Sequence, residues 1–308
     1  MENVVLKIEN LSHRYSVQWA IKDINFEIPG KGIFGLLGSN GAGKSTIMNI
    51  MCGILKPTEG NVWIKGISMT ERAVEAKRCI GFLPQNPPVQ MELTVSEYLS
   101  YCAGLRDIPR KEVQKAVDRV MERCAISHFK KRIIRNLSGG YRQRVGIAQA
   151  IIHEPDFVVL DEPTNGLDPN QILEIRRLVK EIAEERTVML STHMLSEVQA
   201  LCDNIQMIEQ GHVVFAGTID EFDNYLAPNS AVATLMAMPT GSELLKLPGV
   251  IRVEELGGPR YRFFFDRSPE AMEQIVETCV NRGWRLTEIN IEKSSLNEIF
   301  AELSKKNK

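Results

Sequence analysis

The chain has 308 residues, 44% of them hydrophobic and 25% charged, and a formal net charge of -2. Such a composition belongs to a folded globular chain of more than one domain; with no block of like charge it excludes a nucleic-acid-binding tail, and no nucleic-acid partner is expected. Six cysteines (Cys52, Cys79, Cys102, Cys124, Cys202 and Cys279) are scattered without C-x-x-C spacing, the pattern of reduced thiols in a cytoplasmic protein rather than of a disulfide frame or zinc site. Met1-Glu2-Asn3-Val4 has no basic stretch followed by an apolar one, so no signal peptide is expected. No run of about 20 apolar residues offers a membrane-spanning helix, and any action at a membrane needs a second chain to supply the span.

Residues 4–8 read as a strand, and residues 21–28 alternate with period two before Pro29-Gly30 turns the chain, which predicts an antiparallel lead-in. Tyr15 falls in the intervening loop, residues 13–17. An aromatic ring there is able to stack on a base, although a lone tyrosine is more often a surface or half-buried residue. The stretch Gly38-Ser39-Asn40-Gly41-Ala42-Gly43-Lys44-Ser45-Thr46 fits G-x-x-x-x-G-K-[ST] at every fixed position. A buried strand at 33–37 precedes it and a helix at 45–51 follows, the context that separates a phosphate loop from an ordinary glycine-rich turn. The glycines let backbone N–H groups close around a phosphate, and the helix N-terminus adds a favourable dipole. Lys44 places a point charge on the terminal phosphates, and Ser45 is left to hold Mg2+.

Further on, Pro57-Thr58-Glu59-Gly60 turns into a strand at 61–65, and another short strand at 80–84 ends at Gln85. From Thr94 to about Arg135 the pattern becomes helical, with Val95, Leu99, Cys102, Val113, Val117, Val120, Met121 and Cys124 at three- and four-residue spacing. Residues 137–144 open another helix, and Ser138-Gly139-Gly140 at its start offers a second anion site. On physics alone that signal is weak, because Ser-Gly-Gly is more often a cap and turn. Residues 157–162 form an apolar run ending in two carboxylates, the layout of a parallel strand whose C-terminal end faces a site. Asp161 suits Mg2+ through its water shell, and Glu162 is placed to accept a proton from an attacking water. The strand at 187–192 ends at His193, which is able to polarise or orient the γ-phosphate and water, where a lone histidine is usually structural.

One family carries all of these pieces in this order: residues 1 to about 220 resemble the ATP-binding subunit of an ABC transporter. Gly38 to Thr46 matches the family's phosphate loop, Gln85 its Q-loop, Leu137 to Arg144 its signature, and Phe157 to Glu162 its Mg2+-and-base strand. Gly166-Leu167-Asp168 matches its D-loop and His193 its switch histidine, while Tyr15 falls where the family stacks adenine. Tyr141 departs from the glutamine that many members have. The closest resemblance is to the export-type subfamily that includes gliding-motility and drug-export ATPase subunits.

The resemblance implies ATP and Mg2+ as cofactors, Ser45, Gln85 and Asp161 around the metal, and Glu162 and His193 in catalysis. It also implies a head-to-tail pair, most simply a homodimer, in which the phosphate loop of one subunit and Ser138-Gly139-Gly140 of the other clamp one ATP. A separately encoded transmembrane permease would meet the helical insert at about 94–135, with Gln85 at its root, on the cytoplasmic face of the membrane.

Beyond Ile219 the nucleotide motifs stop, and residues 225–230 read as a linker. A strand at 231–238, a short helix at 241–247, a hairpin of 251–255 with 260–266, a helix at 269–282 and a strand at 285–292 follow in the ferredoxin-like order β-α-β-β-α-β. A last helix is expected at 295–305, and the unit resembles the C-terminal extension of the same subfamily. The expected fold is an α/β P-loop NTPase of the ABC type over 1–228, with an accessory α+β domain over 229–308. The expected function is ATP hydrolysis driving an exporter. A soluble ABC ATPase acting on ribosomes would usually carry two cassettes, a DNA-repair relative would have a long coiled coil where 94–135 is short, and a small-molecule P-loop kinase would lack Leu137 to Gly140.

Overall fold

Alternating apolar residues make the start of the chain a hairpin: β1 (Leu6–Tyr15) pairs antiparallel with β2 (Gln18–Ile28), Tyr15 opposite Gln18. The loop expected around Tyr15 is therefore only the turn Ser16-Val17, and Tyr15 ends a strand. Ser16 takes a left-handed φ of 55°, and without the glycine or asparagine that favours this conformation the turn has no mark in the sequence. The computed structural model describes residues 4–226, 229–266, 271–292 and 296–305; the chain forms two units, one up to Ile219 and one from Asp220 onward.

In the first unit, β3 (Gly32–Leu37) has five consecutive buried residues, as a strand covered on both faces must, and leads into α1 (Lys44–Met51). Then come β4 (Glu59–Ile64), β5 (Ile67–Ser68), α2 (Ala73–Arg78) and β6 (Ile80–Leu83). The helical insert contains α3 (Val95–Leu105) and α4 (Arg110–Arg123). A capping box starts α3, Thr94 and Glu97 each accepting from the other's backbone N–H, and Val95, Leu99, Val117, Val120, Met121 and Cys124 are buried as their spacing requires. The unit continues through α5 (Gly139–Ile151), β7 (Phe157–Asp161), α6 (Pro169–Ala183), β8 (Thr187–Thr192) and α7 (Leu195–Leu201). It ends in the hairpin β9 (Asn204–Glu209) and β10 (His212–Thr218).

The antiparallel lead-in has the order β2-β1-β4-β5, beside a six-stranded sheet of order β10-β9-β3-β8-β7-β6. That sheet is parallel except for the β9–β10 hairpin. One core joins the two: Leu6, Ile8 and Ile24 from the lead-in, Met48 from α1, and Phe34, Phe157 and Met189 from the parallel sheet. Parallel pairing brings the C-terminal ends of β3, β6, β7 and β8 to one edge, where ligands bind in open α/β sheets.

A short helix, α8 (Ile219–Asp223), begins at the last residue of the first unit, and the second unit continues through β11 (Ser230–Leu235), α9 (Gly241–Leu244), β12 (Val250–Gly257), β13 (Arg260–Phe265), α10 (Ala271–Asn281), β14 (Leu286–Glu292) and α11 (Leu296–Lys305). Its antiparallel sheet has the order β12-β13-β11-β14, which places the first and third strands of the β-α-β-β-α-β unit at the centre. Tyr261, Phe263 and Phe265 alternate inward to meet Ile275, Cys279 and Trp284. Residues 220–226 group with this unit, ahead of the boundary expected at 228/229. Residues 227–228 of the linker, 269–270 of the expected helix and Ser295 lie outside the described residues. All six cysteines are free thiols, five of them buried. Among the described residues no helix is long and apolar enough to cross a membrane.

Phe157 is fully buried where the two sheets share their core. Phe157→Ala is expected to cost about 3–5 kcal/mol, the range for truncating a buried aromatic, read as a lower denaturation midpoint at unchanged slope in chemical unfolding of the full chain. A loss below about 1 kcal/mol contradicts this assignment of the core.

Candidate active site

The turn from β3 into α1 wraps around a buried cation. Lys44 is 6% exposed, and its Nζ donates to the carbonyl oxygens of Gly38 at 2.8 Å and Ser39 at 3.0 Å. Burial pulls the Lys44 pKa down, against the opposing pull of Glu162, Asp161 and Glu209. The loop closes this tightly only with glycine: a Cβ at Gly38 would lie 2.3 Å from the Ile208 carbonyl oxygen, and Gly43, at φ 109°, would drive one to 2.5 Å from Ile21. On the outer side, the Ser39 hydroxyl donates to Glu209 at 3.0 Å to both carboxylate oxygens.

Across the cavity, β7 ends at Asp161, and Glu162 leaves the strand with a left-handed φ of 47°. That conformation is unfavourable for glutamate and recurs where a fold holds a functional group in place. Its carboxylate is gripped on both oxygens. His193 Nδ1 donates to Oε1 at 2.8 Å, while Gln85 Nε2 at 2.9 Å and Asn165 Nδ2 at 3.2 Å donate to Oε2. Asp161 accepts from the Ser191 hydroxyl, and burial pushes its carboxyl pKa up, the more so with Glu162 beside it. Tyr15, Lys44, Ser45, Thr46, Gln85, Asp161, Glu162 and His193 thus border one cavity of about 580 Å³. A larger one, about 630 Å³, opens at the other end of the strands by Gly30, Asp156 and Thr187; its Lys65 is bonded to Asp156 and its Lys7 to Glu9, and no motif residue borders it.

Ser138, Gly139 and Gly140 are not part of the Lys44 cavity. Ser138 is the N-cap of α5, makes no side-chain capping bond and is exposed. Gly140 and Tyr141 border a separate cavity of about 250 Å³ beside Asp168 and Gln171. Tyr141, which stands in place of glutamine, packs edge-on against Phe129 with ring centroids 4.5 Å apart and against His128 at 5.9 Å, tying the signature helix to the end of the helical insert.

The sequence reading missed Asn165, Ser191 and Glu209. It also missed the pair Arg176–Glu197. Arg176 on α6 donates through Nε at 3.1 Å and Nη2 at 2.5 Å to Glu197 on α7, whose side chain is 2% exposed. Asn165 had the one visible signal, lying three residues past Glu162 in the same turn; the others are long-range partners.

A family model described as ABC transporter matches residues 21–165, and one described as ATP-binding protein DrrA1-3-like, C-terminal domain, matches residues 229–304. The bacitracin transport ATP-binding protein BcrA of Bacillus licheniformis is 36% identical over 214 residues, 69% of each chain. The uncharacterised ABC transporter ATP-binding protein YhcH of Bacillus subtilis is 30% identical over 307 residues, 97% of this chain and 96% of its own. The chain belongs to the ABC transporter family. It is an ATP-binding and ATP-hydrolysing subunit of such a transporter. A solved dimeric ATP-binding cassette in a post-hydrolysis state with ADP and Pi overlays this ABC subunit at TM-score 0.63 and 27% identity, over 70% of this chain and 98% of the solved one.

The Arg176–Glu197 pair ties the helix behind the ABC D-loop to the helix behind His193. Arg176→Ala strands a buried carboxylate and is expected to cost roughly 2 kcal/mol, between the values for exposed and fully buried pairs. Replacing both residues with methionine should recover most of that loss in equilibrium unfolding, and a double variant no more stable than the single one contradicts the pairing.

Proposed function

We propose that this subunit works as a homodimer on the cytoplasmic face of a membrane and drives an exporter whose span is a separately encoded permease. Each ATP lies between the phosphate loop of one copy and Ser138-Gly139-Gly140 of the other. The observation that carries this reading is that the signature residues stand apart from the Lys44 cavity of their own chain, leaving each chain with half of two sites; the dimeric state of the solved relative supports it. Support for export comes from the relative named for bacitracin transport and from the DrrA1-3-like match at 229–304. The permease meets the helical insert at 94–135.

In this reading Tyr15 stacks the adenine and the loop from Gly38 to Thr46, with Lys44, holds the phosphates. Ser45, Asp161 and Gln85 border one cavity with oxygen ligands of the kind Mg2+ prefers, and the half-buried Asp161 carboxyl, its pKa raised by desolvation, is a group that gains from a cation. Bound there, Mg2+ supplies positive charge to the β- and γ-phosphates. Glu162 takes the proton of a water as the water oxygen bonds to the γ-phosphorus and the bond to the ADP oxygen breaks, giving ADP and phosphate. His193, bonded to Glu162, orients the base and the γ-phosphate. The domain from residue 229 to 308 supports dimerisation or regulates it.

Lys44→Ala should abolish ATP binding or turnover, and wild-type turnover in that variant refutes the phosphate-loop role. Glu162→Gln should keep ATP binding, slow hydrolysis by about 10²-fold or more and accumulate an ATP-bound dimer in sedimentation. Normal turnover, or a strict monomer with ATP bound, removes Glu162 from catalysis. His193→Ala should show a similar or weaker defect, and normal hydrolysis would make it structural. Cutting the chain near Asn229 should leave Mg-ATP affinity unchanged while altering dimerisation or coupling; a folded fragment that no longer binds ATP overturns the division of labour.

A further inference from the structure

The turn between β9 and β10 breaks a local rule beside the nucleotide cavity. It is a two-residue hairpin loop, Gln210-Gly211, with Glu209 opposite His212, and both residues have positive φ, 49° and 79°. This is the geometry of a type I′ turn, in which the first position strongly favours asparagine, aspartate or glycine because only these tolerate the left-handed region cheaply. Glutamine there costs stability, and positions where a sequence contradicts its own local structure tend to be functional.

Its surroundings say what for. The turn is clamped to the phosphate loop on both sides of Gln210: Glu209 accepts from Ser39, and the Gly211 N–H donates to the Ala42 carbonyl at 3.0 Å. The Gly211 carbonyl in turn accepts from the Lys22 N–H at 2.9 Å, which fixes the turn against β2 as well. Gln210 is exposed and lines a cavity of about 420 Å³ with Tyr15, Gln18, Trp19, Ala20 and Gly41. Tyr15, Ala20 and Gly41 also border the Lys44 cavity, so the two spaces adjoin at the phosphate loop and share these three residues as walls. Within the second space the indole of Trp19 is covered by the Arg14 guanidinium, 5.7 Å from its ring centroid. Tyr15 is braced from one side by the edge of His13 at 4.8 Å.

We propose that Gln210 reads the edge of the nucleobase and makes this site prefer adenine to guanine. This rests on the reading above that ATP occupies the Lys44 cavity with its base at Tyr15. Stacking on tyrosine accepts any base, because every base has a π-face, so Tyr15 alone gives no choice. A glutamine amide presents one acceptor and two donors, which match the N6 amino group and N7 of adenine as a bidentate pair. Guanine offers acceptors at both O6 and N7, leaving the glutamine carbonyl facing an oxygen with no proton between them. Discrimination then comes from the mismatch with guanine as well as from the match with adenine.

The test measures equilibrium binding of Mg-ATP and Mg-GTP to the full chain. The wild type is expected to bind ATP on the order of tenfold more tightly than GTP. Gln210→Gly removes the amide while suiting the backbone, and should bring the two affinities within about twofold without lowering the melting temperature. Tyr15→Ala should weaken both nucleotides by a similar factor and keep the preference. A wild type that binds both nucleotides equally, or a Gln210→Gly variant that keeps the preference, overturns the inference. Lys44→Ala separates the two readings. If it binds ATP undiminished, the site itself is misplaced; if it loses ATP while Gln210→Gly keeps the preference, only the role of Gln210 fails.

Discussion

Lys44 is a cation held out of water where β3 turns into α1, and much of the neighbouring structure follows from compensating it. An ammonium buried without partners is costly. Two loop carbonyls meet its Nζ directly, and three carboxylates, Glu162, Asp161 and Glu209, favour its charge from further off. Bringing the carbonyls of Gly38 and Ser39 to one nitrogen forces the chain into a curl so close to β9 that a side chain at Gly38 would strike the Ile208 carbonyl. The β9–β10 hairpin is therefore a wall of the phosphate loop, through Glu209 on Ser39 and Gly211 on Ala42. A phosphate bound at the loop would exchange carbonyl dipoles for phosphate charge, which is how a helix N-terminus with a buried lysine gains from a nucleotide.

The opposite wall obeys the same electrostatics with the sign reversed. Parallel pairing of β7 with β6 and β8 brings Asp161, Glu162, Gln85 and His193 to one edge. Both adjacent acids are met by donors. Ser191 answers Asp161; Gln85, Asn165 and His193 answer Glu162. The signature, by contrast, sits against α6 and the insert through Gly140 and Tyr141. In the proposed homodimer both the phosphate loop and the signature of one chain would face the partner copy.

Legibility in the sequence followed the range of the interactions. The phosphate loop, the β7 carboxylates and the start of the helical insert at Thr94 are local patterns whose physics is complete within a few residues, and each stood where spacing placed it. The ferredoxin-like order of the second unit was readable for the same reason, since Tyr261, Phe263 and Phe265 alternate over a single strand. Tyr15 was misplaced into a loop because Ser16-Val17 turns the chain without a turn residue, and the β9–β10 hairpin was missed because Gln210 stands where asparagine would have announced it. Ser39 and Glu209 are 170 residues apart, and only the sheet order β9-β3-β8 makes them neighbours. Arg176 and Glu197 likewise read as two surface charges until α6 and α7 pack together.

In the proposed dimer one chain holds two half-sites and completes neither alone. The most direct measurement is specific ATPase activity of the purified full chain as a function of its concentration, with sedimentation run on the same samples. The account predicts that turnover per chain falls on dilution in step with the loss of the Mg-ATP dimer. Turnover per chain that stays constant down to concentrations where only monomer sediments would contradict it.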